Sequence, residues 1–261
     1  MNAFSLEGKV ALVTGSGRGI GATIARVFSE AGAAVAVTAR TTAEVEAVAA
    51  DIRSAGGRAI AITVDLNDTS QLPGVVERTV AELGGVDVLV NNAGGGVSPH
   101  FVETRIEHLE AAFHLNVAVP FELSRLALPH LLDRPGASII NMSSVGARKA
   151  SRGHLAYHVA KAALAHLSRL MAADLGPRVR VNALVPGPVE TAALRHVLDT
   201  RLPGMRQLLI DHTRMRRIGT PEDVALAAVY LASPAASWIT GMLFDINGGD
   251  VDEIMPIAPD L

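Results

Sequence analysis

Val10-Ala11-Leu12-Val13-Thr14-Gly15-Ser16-Gly17-Arg18-Gly19-Ile20-Gly21 runs from a short apolar stretch into a glycine-rich turn and on into a helix-like segment. The order strand, turn, helix sets the reading of the whole chain. A helix N-terminus gathers free N–H groups at one point, and the helix dipole adds positive potential there. Glycines let the backbone approach a phosphate closely. The spacing at residues 15, 19 and 21 is Gly-x-x-x-Gly-x-Gly, which differs from the Gly-x-Gly-x-x-Gly dinucleotide fingerprint. Any tight strand–helix turn can use glycine, so the turn alone is weak. Its place after the first strand of a β–α–β unit favours a nucleotide. No Gly-Lys-Ser/Thr follows, which excludes a kinase-type phosphate loop.

The same alternation continues outward. Val10–Thr14, Ala34–Thr38, Ala59–Val64, Val86–Val90, Ser138–Met142, Val179–Val185 and Leu243–Ile246 read as buried strands. Helices are expected over Ile20–Ala31, Thr42–Ala55, Thr69–Leu83, two stretches within Ile106–Leu132, Leu155–Leu175 and Pro221–Ala232. This rhythm predicts an α/β fold, a parallel doubly wound sheet with helices on both faces. Glu190–Gly219 breaks the rhythm and reads as an insertion on a single domain spanning 1–261. Hydrophobic residues make up 49% and charged residues 19%, so the chain is expected to be globular. The net charge of −3 and the lack of a long basic run argue against nucleic acid as a partner. There is no cysteine, so disulfides and thiol chemistry are excluded. No His/Asp/Glu cluster has metal-ligand spacing, and no catalytic metal is expected. No apolar run is long enough for a membrane span, and the N-terminus lacks a signal-peptide pattern, so a cytoplasmic protein is expected.

Tyr157 and Lys161 are four residues apart in a helix-favouring stretch, so they share a face. A phenol beside an ammonium is a candidate acid/base pair, the cation favouring the phenolate. A chance meeting on a surface helix is the alternative at this point.

Thr14–Gly21, Asn91-Asn92-Ala93-Gly94, Asn116, Ser144, Tyr157-x-x-x-Lys161 and Pro186-Gly187 stand in the order found in the short-chain dehydrogenase/reductase superfamily. Arg217–Ala225 and Ile239-Thr240-Gly241…Asn247-Gly248-Gly249 add to the resemblance, which is to the 3-oxoacyl reductase-like and hydroxysteroid dehydrogenase-like branches and covers roughly residues 5 to 249. The resemblance implies a Rossmann fold and hydride transfer between a nicotinamide and a carbonyl or secondary alcohol. It implies Tyr157 as the acid/base, with Ser144 holding the substrate oxygen and Ser143 as the neighbouring alternative. Lys161 would lower the Tyr157 pKa and bind the nicotinamide ribose, and Asn116 would hold a proton-relay water. Cofactor contacts would come from Gly15, Ser16, Gly17, Arg18, Gly19, Ile20, Gly21, Arg40, Asp65, Leu66, Asn92, Ala93, Gly94, Tyr157, Lys161, Pro186, Gly187, Val189 and Thr191. Structural support competes with ligand contact for Asn91–Gly94, and a helix N-cap competes for Asp65. A catalytically silent cofactor-binding sensor or structural protein is the other functional class. The presence of Asn116, Ser144, Tyr157 and Lys161 argues for an enzyme. A homotetramer is also implied, through Ile106–Leu132, His154–Leu175 and Leu243–Gly249, with the tail 250–261 reaching a neighbour.

After the second strand comes Ala39-Arg40, where an NAD site wants a carboxylate for the adenosine 2′-hydroxyl. Arg40 and Arg18 suit a 2′-phosphate instead, so NADP is the expected preference, with NAD possible. Glu190–Gly219 mixes Leu194, Leu198, Leu202, Met205, Leu208 and Leu209 with Arg195, Arg201, Arg206 and Arg214. It is expected to cover the substrate. An apolar substrate with an acidic tail would suit it, and ordinary helix packing with solvated arginines is the equal alternative. His158 reads as a packing or interface residue, while His154 and His100 are candidates for the substrate cleft.

Overall fold

Both faces of each central strand are apolar, and that places these strands inside. In the computed structural model, which describes residues 3–96, 99–200 and 204–249, β1 (Val10–Thr14) is buried at every position. Val10 and Leu12 face one helical layer, while Ala11 and Val13 face the other. Beside it run β2 (Ala34–Ala39), β3 (Ala59–Thr63), β4 (Val88–Asn91), β5 (Ala137–Met142), β6 (Val179–Pro186) and β7 (Leu243–Ile246). All pair in parallel, in the order β3-β2-β1-β4-β5-β6-β7. The chain winds outward from β1 to β3, then returns to place β4 on the other side of β1, with Leu12 opposite Leu89. This reversal opens a crevice at the carboxyl ends of β1 and β4.

One helical layer holds α1 (Gly19–Glu30), α2 (Thr42–Ser54) and a later helix, Pro221–Ala232. Phe28 on α1 is fully buried against the sheet. The opposite layer holds α3 (Leu72–Leu83), α5 (Val119–Leu132) and α6 (Leu155–Leu175), through Leu72, Val76, Leu123, Leu131 and Met171. The molecule is therefore a single α/β domain with a doubly wound Rossmann-type sheet. Element ends differ from the sequence reading by one or two residues, the usual fraying.

Two differences are larger. Thr69–Leu83 is a short 3₁₀ turn at Thr69–Gln71 followed by α3, and the turn is capped by Asp68, which accepts from Ser70 N. Ile106–Leu132 is α4 (Ile106–Phe113) and α5 joined by one π-helical turn, His114–Ala118. The π turn carries Asn116 and joins the two helices without a break.

Residues 190–219 form two short helices, α7 (Ala192–Thr200) and α8 (Met205–Asp211). They leave and rejoin the domain at a neck, where Val189 bridges Gly219, Glu190 N donates to Gly219 O (2.8 Å) and Gly219 N donates to Pro188 O (3.0 Å). A second tie follows α8, where Met215 N donates to Gly248 O (3.0 Å) and Arg214 N to Gly249 O (3.3 Å). Leu198, Met205, Leu209 and Ile218 pack together there with Leu194 and Ile210, apart from the main cores. The chain then enters α9 (Pro221–Ala232) through a capping box, in which Thr220 Oγ1 accepts from Asp223 N and Asp223 Oδ2 accepts from Thr220 N. Arg217 donates to both Asp223 oxygens (2.6 and 2.7 Å), which holds that carboxyl far below the usual carboxylate range. Arg201, Leu202, the Val97–Ser98 part of the 95–102 loop, and the tail 250–261 lie outside the described residues. No helix among the described residues is long and apolar enough to cross a membrane.

Candidate functional site

A cleft of about 360 Å³ lies at the β1/β4 switch point. Its walls include Gly15, Gly17, Arg18, Gly19, Ile20, Gly21, Arg40, Asp65, Leu66, Asn92, Ala93, Gly94 and Thr191. Thirteen of the expected cofactor positions thus converge on one space. Ser16 does not. Its N–H donates to Thr38 O (2.8 Å), and its hydroxyl donates to Val13 O (2.7 Å) while accepting from Thr38 N (2.8 Å). Fully buried, Ser16 ties the glycine turn to β2, leaving neither its N–H nor its hydroxyl for a ligand. Pro186, Gly187 and Val189 also do not line this space, because β6 stands three strands away from β1.

The turn is held from the far side. Thr14 Oγ1 donates to Val90 O (3.2 Å) and accepts from Asn92 N and Ala93 N (2.9 and 3.0 Å). Asn92 Nδ2 donates to Thr14 O and Gly15 O (2.8 and 3.1 Å). Asn91 points away from the cleft, into a buried network with Asn141 Oδ1 (2.8 Å), Ser124 and Pro120 O, while Asn141 Nδ2 donates to Ser168 (2.9 Å). The structural side of the Asn91–Gly94 reading therefore applies to the two Asn side chains, and Ala93 and Gly94 line the cleft. Asp65 is not the helix cap; Oδ1 accepts from its neighbour Asn67, both N (3.1 Å) and Nδ2 (3.0 Å).

Beyond Gly94 lie the four candidate catalytic residues. Ser144 follows β5, and its hydroxyl accepts from Gly146 N (3.1 Å) and bonds the Tyr157 phenol. Ser143 is turned away, donating to Lys161 O (3.0 Å). Lys161 is almost wholly buried, with Nζ donating to Met142 O (2.7 Å) and standing 5.7 Å from the Tyr157 ring centre. A Cβ placed on Gly94 would lie 2.8 Å from Lys161 Nζ and 2.7 Å from Asn116 Oδ1. The absence of a side chain at Gly94 thus lets the cleft reach both groups. Asn116 is fully buried and gives both amide hydrogens to carbonyls, Ala112 O (2.8 Å) and Gly95 O (2.7 Å), while accepting from Gly95 N (3.0 Å). Only one Oδ1 lone pair remains for anything else.

The expected lowering of the Tyr157 pKa by Lys161 is corrected here. Burial pushes the phenol up, and the opposing influence is the Ser144 hydrogen bond. The ammonium is bound to the Met142 carbonyl, and its own burial pushes it down to about 8. His158 and His154 stack at 5.2 Å, one helical turn apart at the start of α6.

The adenosine end of the cleft carries residues that the sequence reading passed over, Thr41, Glu44 and Asn67, along with Leu115 and Ala192–Ala193 elsewhere on the wall. Asn67 and Thr41 each stand one residue from a named position, which was the available signal. Glu44 had none, since it enters only because α2 begins beside the glycine turn. Its carboxylate stands 3.8 Å from the Arg18 guanidinium. Over the insertion, Arg206 bonds Glu190 (3.1 Å) and lies 3.5 Å from Asp199, and Arg195 lies 3.4 Å from Glu190. Two of the four arginines offered for an acidic substrate tail are thus engaged within the insertion, and most of its leucines pack on one another. Among the described residues, no three His, Cys, Asp or Glu side chains converge as a metal site would require.

The open turn at the start of α1 and the bare floor at Gly94 fit a dinucleotide, one offering N–H groups to a pyrophosphate and the other leading to the Lys161 ammonium. Comparisons with known proteins agree with this geometry. A family profile described as enoyl-(acyl carrier protein) reductase matches residues 15–250. An uncharacterised oxidoreductase of Mycobacterium tuberculosis is 45% identical over 253 residues, covering 95% of this chain and 94% of the relative. The 7α-hydroxysteroid dehydrogenase of Escherichia coli K12 is 39% identical over 250 residues, covering 95% and 96%. A 7α-hydroxysteroid dehydrogenase solved with NADH and 7-oxo glycochenodeoxycholic acid superimposes with a TM-score of 0.92 at 38% identity, over 97% of this chain and 98% of that one.

Proposed function

The chain belongs to the short-chain dehydrogenase/reductase superfamily, NAD(P)(H)-dependent oxidoreductases acting on CH–OH groups, and from that premise we propose how its own residues divide the work. Tyr157 exchanges a proton with the substrate oxygen, and Ser144 holds that oxygen by hydrogen bonding. The bound nicotinamide supplies or accepts the hydride. Lys161 binds the nicotinamide ribose, while the Ser144 hydrogen bond is what favours the phenolate. Asn116 fixes the π turn and the Gly94–Gly95 floor, and it offers one acceptor position to a relay water. Pro186, Gly187 and Val189 border the nicotinamide end. The 190–219 insertion covers the substrate. The observation that carries this reading is the Ser144–Tyr157 hydrogen bond with Lys161 beneath the ring. Tyr157→Phe is expected to keep the fold and cofactor affinity and to lower kcat by about 10²–10⁴-fold. Near wild-type turnover in that variant refutes the assignment.

The cofactor is proposed to be NADP in preference to NAD. A relative solved with NADH shows that the fold accommodates NAD. In this chain Ala39 offers no carboxylate to a 2′-hydroxyl, and Arg40 and Arg18 stand on the cleft wall. The substrate is proposed to be an alicyclic secondary alcohol or its ketone. Identity to the hydroxysteroid enzyme along nearly the whole of both chains supports this. Steroid alcohols turned over in a nicotinamide absorbance assay, with 3-oxoacyl thioesters left untouched, would bear it out. The reverse result would move the enzyme to the acyl reductase branch.

A homotetramer is proposed as well. Ile106, Phe113 and Val159 are exposed apolar side chains on α4 and α6, and Trp238 and Met242 are exposed beside β7. An apolar groove lined by Leu109, Phe113 and Val159 runs between the two helices. Light scattering at micromolar concentration is expected to give four times the chain mass, and a stable monomer refutes the proposal.

A further inference from the structure

His158 is the residue next to the proposed acid; its ring lies 6.0 Å from the Tyr157 ring, and its tip is directed at a different partner. Adjacent helical positions diverge by about 100°, and the His158 ring lies against the 3₁₀ turn Val145–Ala147 that follows Ser144. Three contacts fix it there. It donates to the Lys149 carbonyl, and Lys149 N in turn donates to Val145 O (3.1 Å), closing that turn. It stacks on His154 at 5.2 Å and 24°. It also occupies the space a side chain at Gly146 would need: a Cβ there would run into His158 Cδ2 and lie 2.6 Å from Nε2. Gly146 is not among the glycines with left-handed φ, so the backbone does not demand glycine at this position. The histidine does.

Gly146 N donates to Ser144 Oγ (3.1 Å). That bond occupies an acceptor site on the hydroxyl and leaves its hydrogen for the Tyr157 oxygen. The contacts run in one line: the His158 ring against Gly146, the Gly146 amide to Ser144, and Ser144 to Tyr157. We propose that His158 is a positioning residue, a wedge between α6 and the 145–149 turn that sets the orientation of the Ser144 hydroxyl toward Tyr157. This rests on the roles proposed above for Ser144 and Tyr157. The groups around the Tyr157 ring are Ser144, the Lys161 ammonium and the His158 ring itself, tilted at 6.0 Å, and His158 faces His154 on its other side.

The test uses the full chain and a substrate alcohol identified in the absorbance screen. In the oxidation direction the rate rises with pH as Tyr157 loses its proton. His158→Ala releases the turn, so kcat is expected to fall about tenfold with KM little changed, since a displaced catalytic contact costs rate. The rising limb of the pH profile should move to higher pH, because the Ser144 bond that favours the phenolate is weakened. His158→Gln, which keeps an N–H donor for the Lys149 carbonyl, should recover part of both. Gly146→Ala approaches the same contact from the other side and serves where His158→Ala does not fold. Its methyl collides with the ring and is expected to lower kcat in the same way. In the double variant Gly146→Ala/His158→Ala the methyl enters the space the ring has left, so the loss should be smaller than the two single losses combined. An unchanged pH profile in His158→Ala, or strictly additive losses in the double variant, overturns the proposal. Ser144→Ala and Tyr157→Phe are measured alongside. If these two retain full activity, the catalytic assignment itself falls and takes the wedge with it.

Discussion

The glycine-turn side of the cleft and the 190–219 insertion face one another across the site, yet they are held by different means. The first is built on the sheet. Thr14, Ser16 and Asn92 bond the turn to β1, β2 and β4 through main-chain groups, and Ser16 is fully buried. The second is tied to the domain at the Val189/Gly219 neck and by two main-chain bonds from Arg214 and Met215 to Gly249 and Gly248. It otherwise stabilises itself with a four-residue core and with Arg195 and Arg206 around Glu190. A site that must present N–H groups at fixed points needs the first kind of support. The second kind suits the substrate cover proposed for the insertion, since segments with few ties to the main core open at lower cost.

The largest test of this contrast is Leu209→Ala, which empties part of the small core. A buried Leu→Ala change costs about 2–5 kcal/mol. If the insertion is semi-independent, that loss appears as local opening: faster hydrogen exchange in 205–211, a raised substrate KM, and a cofactor affinity close to wild type. Loss of cofactor binding, or a fall in the main unfolding transition by the full amount, would show the two regions to be one cooperative unit.

The next test concerns Lys161, on the rigid side. Its folded pKa, about 8, is below the unfolded value near 10.4. Between these values the unfolded chain binds more protons, so the stability contribution rises with pH. It is fully present above the unfolded pKa and is lost as pH falls through about 8. The shift corresponds to roughly 3 kcal/mol at most. Urea midpoints of the cofactor-free protein at about pH 8 and pH 10 are expected to show this gain in wild type relative to Lys161→Met. Parallel pH dependence in the two proteins would mean that the ammonium is better solvated than its burial indicates.

The smallest effect is at the rim. Arg40 is exposed, so its contact with a 2′-phosphate falls at the weak end for charged hydrogen bonds. Arg40→Ala is expected to reduce the kcat/KM preference for NADP over NAD about tenfold while leaving the insertion untouched. A wild type that favours NAD, or a variant with unchanged preference, would remove Arg40 from the cofactor site.

How much of this was legible in the chain varies with the distance over which each contact acts. The strand rhythm placed seven parallel strands and most helices within a residue or two, because burial on both faces writes itself into continuous apolar runs. The π turn at His114–Ala118 was not legible, since a one-residue insertion in a helix leaves the apolar pattern nearly unchanged. Gly15, Gly21, Tyr157 and Lys161 were readable as candidates, the glycines from their place after β1 and the pair from its i, i+4 spacing. Ser16 was read as a cofactor contact because it stands inside the motif, and only the position of β2 shows that its hydroxyl is bound to Thr38.

The sequence by itself determined the order of elements, the turn at the switch point and the Tyr157/Lys161 face, all of which depend on neighbours a few residues apart. The tertiary structure decided what depends on residues far apart in the chain. It separated Ser144, on the phenol, from Ser143, on the Lys161 carbonyl eighteen positions away. It drew Arg206 to Glu190 across sixteen residues and so removed it from the groups offered to a substrate. It buried Lys161 under β5 and pushed its pKa down to about 8, where spacing alone indicated only an ammonium beside a phenol. Spacing sets which side chains share a face. Desolvation and the choice of hydrogen-bond partner are set by whatever the rest of the fold packs against that face.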